Sequence, residues 1–333
     1  MRAVALISGG LDSTLAAKLI KGQGIELTVL NFKTPFCLCD KRGSNGCGNE
    51  ALKVAHDLGL ELKIVNVTED FFKILKSPQY GYGSNMNPCI DCRILMLRKA
   101  KEFMLKVGAS FIVTGEVLGQ RPMSQYKRAL NLIEKEAGLE GIILRPLSAK
   151  LLSCTVPEKE GWVSRDKLLD FSGRTRKPQI ALARNLGIKD YPCAAGGCLL
   201  TDPQFAKRTE DLLKFGELNL NNVELLKIGR HFRLSPNVKL VVGRNELENE
   251  RLLNLTKDDD YLFMPLNIPV PTVLGRGLFD AELIKLSCSI TCRYCDLNGK
   301  TDTDIVYKRV AEKEERLFRA SSIDDTELNS FKV

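Results

Sequence analysis

Several things are scarce in this chain of 333 residues. It has two histidines, His56 and His231, and neither lies in a recognisable catalytic context. A mechanism built on imidazole therefore has little to start from. No apolar run reaches the roughly 18 residues needed to cross a bilayer, so no membrane-spanning helix and no membrane partner are expected. The opening MRAVALISGGLDS carries one arginine and a short apolar run, without the longer apolar core and cleavage site of a secretory leader. A buried first strand and a cytoplasmic protein are the expectation. Walker-type GKS/T is absent, which argues against kinase-like transfer of a γ-phosphoryl group. Internal repeats and low-complexity segments are absent too.

Cysteine, by contrast, is abundant. Eleven occur, an odd number. Without a secretory signal, metal ligands or redox-active thiols explain them better than a disulfide framework. The length allows two domains. With 49 Lys+Arg against 41 Asp+Glu, the net charge of +8 attracts polyanions mildly, a weak pointer to nucleic acid.

Short apolar strands alternate with helical segments over the first part: strands at 3–7, 26–32, 61–67 and 110–116, and helices at 11–20, 49–58 and 93–107. This alternation predicts an α/β fold, a parallel sheet flanked by helices, with a smaller C-terminal α+β domain. Ligands of such sheets bind at the carboxyl ends of the strands, which places Ser8, Phe32 and Thr114 on the binding edge. The expected division is 1–205 as the nucleotide-binding catalytic domain with its cysteine loops, 206–221 as a connecting helix, 222–311 as the α+β domain, and 312–333 as a charged tail that frays.

SGGLDS (Ser8, Gly9, Gly10, Leu11, Asp12, Ser13) follows the first strand and opens a helix. Paired glycines admit a phosphate close to the backbone, and loop amides with the helix N-terminus supply positive potential. The hydroxyls of Ser8 and Ser13 are placed to donate to phosphate oxygens, and Asp12 to organise Mg²⁺ or the loop itself. ATP is the expected ligand. After the strand at 110–116, TGEVLGQRPMSQ brings Gly115, Glu116, Gln120 and Arg121 to the same edge; Arg121 would neutralise pyrophosphate, and Gln125 or Arg128 would meet nucleotide or RNA. In GRTRKPQ, Arg174, Arg176 and Lys177 pack three cations into four residues, suited to RNA phosphates.

NPCIDCR places Cys89 and Cys92 in a CxxC at a helix start, and GGCLLTDP places Cys198 on a second Gly-rich loop. Two thiolates spaced by two residues can bind one metal centre, and a helix N-terminus lowers a thiol pKa. A third thiolate from the distant loop would complete a three-cysteine 4Fe–4S site with one iron open; zinc or a redox pair would use the same residues. Cys37, Cys39 and Cys47 read as incidental thiols near the mouth of the site, Cys193 as a possible stand-in for Cys198, and Cys154 as a small buried side chain. SCSITCRYC (Cys288, Cys292, Cys295) has the CxxxCxxC spacing of radical-SAM enzymes, but residues 296–333 are too few for the barrel such enzymes need. An amphipathic element of the small domain is expected there instead.

With SGGLDS, the motifs NPCIDCR, TGEVLGQRPMSQ, LRPLSAKLL, GRTR and GGCLLTDP, in this order over residues 1–215, resemble the PP-loop ATP pyrophosphatase superfamily. Within it the likeness is to the tRNA thiouridylase and 4-thiouridine synthase-like proteins. The resemblance implies a tRNA uridine sulfurtransferase that adenylates a carbonyl oxygen with ATP and Mg²⁺ and replaces it with sulfur. In the cluster-dependent members a CxxC and one later cysteine hold a 4Fe–4S cluster, here Cys89, Cys92 and Cys198. In the cluster-free members Cys89 would be the nucleophile and Cys198 the persulfide carrier. Cys92 favours the cluster. The catalytic set is then Asp12, Cys89 and Cys198, with ATP held by Ser8, Gly9, Gly10, Asp12, Ser13, Phe32, Gly115, Gln120 and Arg121. The partners are tRNA and a sulfur donor, either inorganic sulfide or a cysteine desulfurase-type carrier. 4-Thiouridine is favoured over 2-thiouridine, because the long barrel domain of the anticodon 2-thiouridylases is not seen. A non-catalytic RNA-binding factor is the alternative of another class. Residues 222–311, through KIGRHFRL and VVGRNELEN, resemble more loosely the small RNA-binding domain of ribosome-quality-control factors.

Overall fold

The computed structural model describes residues 1–38, 46–188, 197–266, 268, 271–297 and 299–333, and for 46–48 the backbone only. Two compact units divide the chain, Met1–Thr201 and Asp202–Val333.

In the first unit, β1 (Arg2–Leu6), α1 (Leu11–Lys21), β2 (Glu26–Lys33), α2 (Gly46–Asp57), β3 (Leu62–Asn66), α3 (Thr68–Lys76), α4 (Cys89–Lys106), β4 (Phe111–Thr114), α5 (Lys127–Ala137), β5 (Ile143–Leu144), α6 (Val156–Lys159) and α7 (Lys177–Asn185) follow one another. The strands form one sheet in the order β3-β2-β1-β4-β5, and every pairing is parallel. The alternation of a strand's side chains explains the helices on both faces. Ala3 and Ala5 pack with Leu15 and Ile20 of α1 and Ala183 of α7. Val4, from between them, packs with Ile94 and Leu97 of α4 and Ile133 of α5. A strand covered on both faces has to be apolar throughout, as RAVAL nearly is. The chain leaves β1 toward β2 on one side and returns through β4 on the other. The loops after β1 and β4 therefore diverge at the carboxyl ends and open a crevice.

The second unit comprises α8 (Pro203–Phe215), α9 (Leu220–Leu226), β6 (Arg230–Ser235), β7 (Val238–Val242), α10 (Glu246–Asn254), β8 (Tyr261–Pro265), β9 (Val273–Gly277), α11 (Ala281–Arg293), β10 (Asp302–Arg309), β11 (Arg316–Ser321) and α12 (Asp325–Ser330). Its six strands run β11-β10-β8-β9-β7-β6, antiparallel throughout.

Two expected boundaries move. Residues 206–221 are not a connecting helix. α8 buries Phe205, Ala206, Thr209 and Leu212, and its Arg208 donates to the carbonyls of Leu226 and Gly229, so it belongs to the second unit. Residues 312–333 are not a fraying tail, because they carry β11 and α12. The charges that look solvated in the sequence are cross-strand partners: Arg319 reaches Asp302 at 3.0 Å and Asp304 at 3.1 Å on β10, while Ala320 and Leu328 enter the core. Among the described residues no helix is long and apolar enough to cross a membrane.

Candidate active site

The loop after β1 turns into α1 at Gly10, and no side chain caps that helix N-terminus. Gly9 has φ +79°, and a Cβ on it would lie 2.6 Å from Glu50 Cβ of α2; only glycine fits there. From the other side, a Cβ on Gly115, just past β4, would lie 2.4 Å from Ser13 N. The two divergent loops thus touch backbone to backbone. The Ser13 hydroxyl knits the loop, donating to Gly10 O at 2.8 Å while accepting from Ser8 N at 3.3 Å. Phe32, at the end of β2, packs with Leu6 and Val65 in the core on the α4 side.

Asp12 accepts from Gln120 Nε2 at 2.9 Å and from Arg176 Nη2 at 3.3 Å. Arg176, expected to face RNA, is therefore turned toward the loop, while its neighbours Arg174 and Lys177 are exposed. Three buried atoms here have no hydrogen-bond partner: Asp12 Oδ1, Gln120 Oε1 and Arg176 Nη1. Buried polar atoms are rarely left so. A nucleotide with a divalent cation supplies both kinds of partner, a cation for the carboxylate and oxygens for the guanidinium, so these residues suit Mg²⁺-ATP.

Hydrogen bonds between motifs hold the Arg121 loop. Arg121 N donates to Gln125 Oε1 at 3.0 Å and Gly119 N to Gln125 O at 2.7 Å. Ser148 Oγ accepts from Leu118 N at 2.9 Å and donates to Phe171 O at 2.6 Å. Gly173 N donates to Leu118 O at 2.8 Å. Gln125 is thus a structural element of this loop, and the Ser148 of LSAK ties it to the segment leading to Arg176. Burial, and then repulsion from Arg93, lower the proton affinity of the Arg121 guanidinium. Arg121 therefore stands near Arg93 of α4 and, through its neighbour Gln120, beside Asp12. Met123, in the same loop, has φ +75°, and a Cβ on Gly83 before Cys89 would lie 2.3 Å from its Sδ.

Cys89 and Cys92 occupy the first turn of α4. The buried carboxylate of Asp91 accepts from the amides of Gln79 and Tyr80 at 2.9 and 3.1 Å, folding the preceding loop back on the helix. That loop is stitched to the Cys198 segment: Asn85 Nδ2 donates to Thr201 O at 2.8 Å and Met86 N to Leu200 O at 3.2 Å. Burial first, and then the neighbouring Cys198, push the Cys92 thiol up to about 12. Burial, and then Cys89 and Cys37, push Cys198 up to about 12 against the lowering effect of a Leu200 backbone hydrogen bond. These thiols are neutral at physiological pH. They ionise only if a cation or a base offsets the desolvation.

Cys37 is the residue that sequence reasoning set aside. It faces Cys198 across an antiparallel bridge, bracketed by Leu38 N to Gly197 O at 3.0 Å and Leu199 N to Phe36 O at 2.8 Å. Phe36, buried against Phe71 and Phe72 of α3 at 5.2 and 6.1 Å between ring centroids, anchors it. A bridge between residues so far apart leaves no spacing signal in the sequence. Cys39, Cys193 and the side chain of Cys47 lie outside the described residues. Cys154 is exposed, not the buried side chain expected, because it follows a short 3-10 turn at the surface.

Glu116 is buried below the cysteine helix. Arg145 Nε donates to its Oε2 at 2.9 Å, and Arg93 Nε lies 3.1 Å from Oε1 as an ion pair without hydrogen-bond alignment. Burial alone would raise this carboxyl's pKa, but Arg93 and Arg145 outweigh it and hold it below the usual range. Glu116 therefore fixes Arg93, next to Cys92, against the end of β4; it is not a ligand of the nucleotide edge.

The donor chemistry of Cys89, Cys92 and Cys198 suits an iron–sulfur centre, since Cys92 and Cys198 are desolvated thiols near each other and near Cys89. Their placement is not a closed cage. Among the described residues no three His, Cys, Asp or Glu side chains are grouped to hold a metal ion. In the second unit, Cys288 and Cys292 are buried in the core from one face of α11, with Cys295 packed beside them, as the amphipathic reading of SCSITCRYC expects.

A family model described as thiamine biosynthesis protein (ThiI) matches residues 1–150, and one described as the NFACT protein RNA binding domain matches 229–332. Among curated relatives, the tRNA-specific 2-thiouridylase MnmA of Pelobacter propionicus is 31% identical over 188 residues, 54% of this chain and 51% of that protein. MnmA 1 of Fusobacterium nucleatum is 34% identical over 113 residues, 33% and 29% of the two chains. The chain thus spans about a third to a half of the length of these relatives. Similar solved structures include the U34-tRNA thiolase NcsA from Methanococcus maripaludis with its 4Fe–4S cluster, at 17% identity, TM-score 0.34 and coverage of 68% and 70%. Another is a 4-thiouridine synthetase–RNA complex with bound ATP, at 21%, 0.33, 56% and 51%. The fold assignment rests on the chain's own sheet topology.

Proposed function

We propose that this chain, whose first unit is a PP-loop domain of the ThiI type, uses ATP to replace a carbonyl oxygen of a tRNA uridine with sulfur. One observation carries the reading: the Arg121 loop meets both motifs, Gln120 donating to Asp12 at 2.9 Å and Met123 lying against Gly83 of the segment that leads to Cys89, so adenylation and sulfur delivery share one neighbourhood.

The α1 N-terminus and the Ser8–Ser13 loop bind the phosphates, with Asp12 oriented by Gln120 and Arg176 to hold Mg²⁺. The uridine enters flipped from its stack, since its carbonyl has to be reached. Its oxygen attacks the α-phosphorus and pyrophosphate leaves, its charge neutralised by Arg121. Sulfur then attacks the activated carbon, and AMP departs with the oxygen. A 4Fe–4S cluster held by Cys89, Cys92 and Cys198 would supply an open iron that carries sulfide. The nearness of Cys89 to Cys198 supports a second route, in which Cys198 carries a persulfide: Cys89 attacks the inner sulfur, a Cys89–Cys198 disulfide forms as the S–S bond of the persulfide breaks, the released hydrosulfide attacks the activated carbon, and an external thiol reductant restores the two cysteines. The cluster route takes its sulfur as inorganic sulfide, and the persulfide route takes sulfane sulfur from the persulfide of a cysteine desulfurase-type carrier.

ATP–pyrophosphate exchange with tRNA, followed by mass analysis of its nucleosides, tests the proposal. A thiolated uridine is expected, with 4-thiouridine the first product to look for. Iron and sulfide analysis after anaerobic purification separates the two routes. If neither sulfide nor a persulfide donor yields a thiolated nucleoside, the sulfurtransferase reading is wrong and an RNA-binding factor remains.

A further inference from the structure

The second unit holds a cavity of about 260 Å³ between α8, α9 and the β9-β7-β6 side of its sheet. Leu212, Leu225 and Leu274 give it apolar walls. Across its sheet side runs a row of cations. Arg233 pairs in register with Lys239, and Lys239 with Arg276, so three positive side chains stand side by side on three adjacent strands. Like charges directly opposite each other destabilise a sheet. Among the described residues the carboxylates paired with these cations are Asp211 and Asp260, and Glu217 is a further carboxylate in the lining. Asp211 is shared by Arg233 and Lys239 at 2.7 Å each, and Asp260 holds Arg276 at 2.5 Å. The surplus is felt at Lys239, whose pKa falls to about 8, through burial first and with Arg233 adding to it. Lys257, exposed, adds another cation to the lining.

At the mouth stands Phe215, the last residue of α8, a large aromatic left 37% exposed. Lys214 Nζ lies 4.8 Å and Arg233 Cζ 5.2 Å from its ring centroid. An exposed ring beside a cationic groove is the arrangement by which proteins bind single-stranded nucleic acid: the backbone follows the charge and a base stacks on the ring. An acidic peptide would use the cations but has no need of the ring.

We propose that this cavity seats one unpaired nucleotide of an RNA strand, its phosphate on Lys239 and Lys257 and its base on Phe215, with the exposed Lys214 moving aside and with Arg276, whose N–H groups are taken by Asp260, Asn221, Asn222 and the Leu255 carbonyl, bracing the wall. The proposal rests on reading the second unit as RNA-binding and adds where and how it binds.

Fluorescence anisotropy of the full chain with labelled tRNA and with a single-stranded oligoribonucleotide tests it. Phe215→Ala and Lys257→Ala are both surface changes, checked by unchanged melting temperature. Phe215→Ala is expected to weaken binding of both RNAs about tenfold. Lys257→Ala should lower the slope of log affinity against log salt by about one. Ultraviolet cross-linking should map RNA to a peptide containing Phe215, and neither inorganic phosphate nor polyglutamate should compete at matched ionic strength. Parental affinity in both folded variants overturns the seat alone. Displacement of RNA by polyglutamate at low concentration overturns it in favour of an acidic partner. If the parent chain exchanges pyrophosphate yet binds no RNA, the RNA-binding reading of the second unit falls with it.

Discussion

The two units each contain a CxxC, Cys89–Cys92 and Cys292–Cys295, and the fold gives these identical spacings opposite surroundings. The first occupies the opening turn of α4, at the loop end of a parallel sheet, with Cys198 brought in by the Asn85 and Met86 hydrogen bonds. The second closes α11, where Cys292 is buried in the core and Cys295 Sγ donates to Thr291 O at 3.3 Å. A thiol pair at a helix start can meet groups from other loops. A pair at a helix end, pressed onto a sheet, meets only its own core. Spacing alone therefore does not identify a site; the position of the pair on its helix does.

The contrast is sharpest in paired substitutions. Cys198→Ser is expected to abolish thiolated product in the tRNA nucleoside assay, while Cys292→Ala keeps the product and costs about 1–2 kcal/mol in urea unfolding. If Cys292→Ala also abolished product in a folded protein, the two pairs would have to be treated alike. Next in size, Gly115→Val drives a side chain into Ser13 N. Pyrophosphate exchange should fall on the order of a hundredfold, with RNA affinity retained, because the damage stays in the first unit.

A smaller effect separates the units by pH. His231 is buried in the second unit, donates from Nε2 to Ile228 O at 2.7 Å, and has its pKa held well below 6.5, by burial first and then by Lys239 and Arg208. The unfolded chain takes up a proton below pH 6.5 that the folded chain refuses. Stability of the second unit should therefore decline as pH falls below 6.5, by at most about 1.4 kcal/mol per pH unit. Urea unfolding at pH 7.5 and 5.5 measures this, and a His231→Leu variant that kept the full slope would assign it elsewhere. Finest of all is a covalent probe. Cys37 and Cys198 face each other at a position with no backbone hydrogen bonds between them, where Cα atoms stand about 4.5 Å apart, within disulfide range. Mild oxidation should join them in peptide mass mapping and leave Cys288 and Cys292 unjoined.

Much of the first unit was legible because its signals are local. Apolar strands alternating with helices fix a parallel sheet, and SGGLDS marks the turn from a strand into a helix, with Gly9 at φ +79°. The second unit was read less well. Its β11 is rich in charge, and cross-strand partners such as Arg319 with Asp302 and Asp304 look in a sequence like a solvated tail. Arg176 was read as facing RNA because three cations in four residues suggest a surface. Its turn toward Asp12 depends on the Leu118–Gly173 bond, which no spacing announces.

By itself, then, the sequence determined the alternating strands and helices of the first unit, the glycine turn between β1 and α1 and the identity of the thiols, since each follows from neighbours a few residues apart. Tertiary structure alone decided that Cys37 faces Cys198 across a bridge, that Glu116 anchors Arg93, and that Arg233, Lys239 and Arg276 form a row. The physical reason is common to all three: burial, electrostatic reach and strand register act through space between residues far apart in the chain, and periodicity carries no record of them.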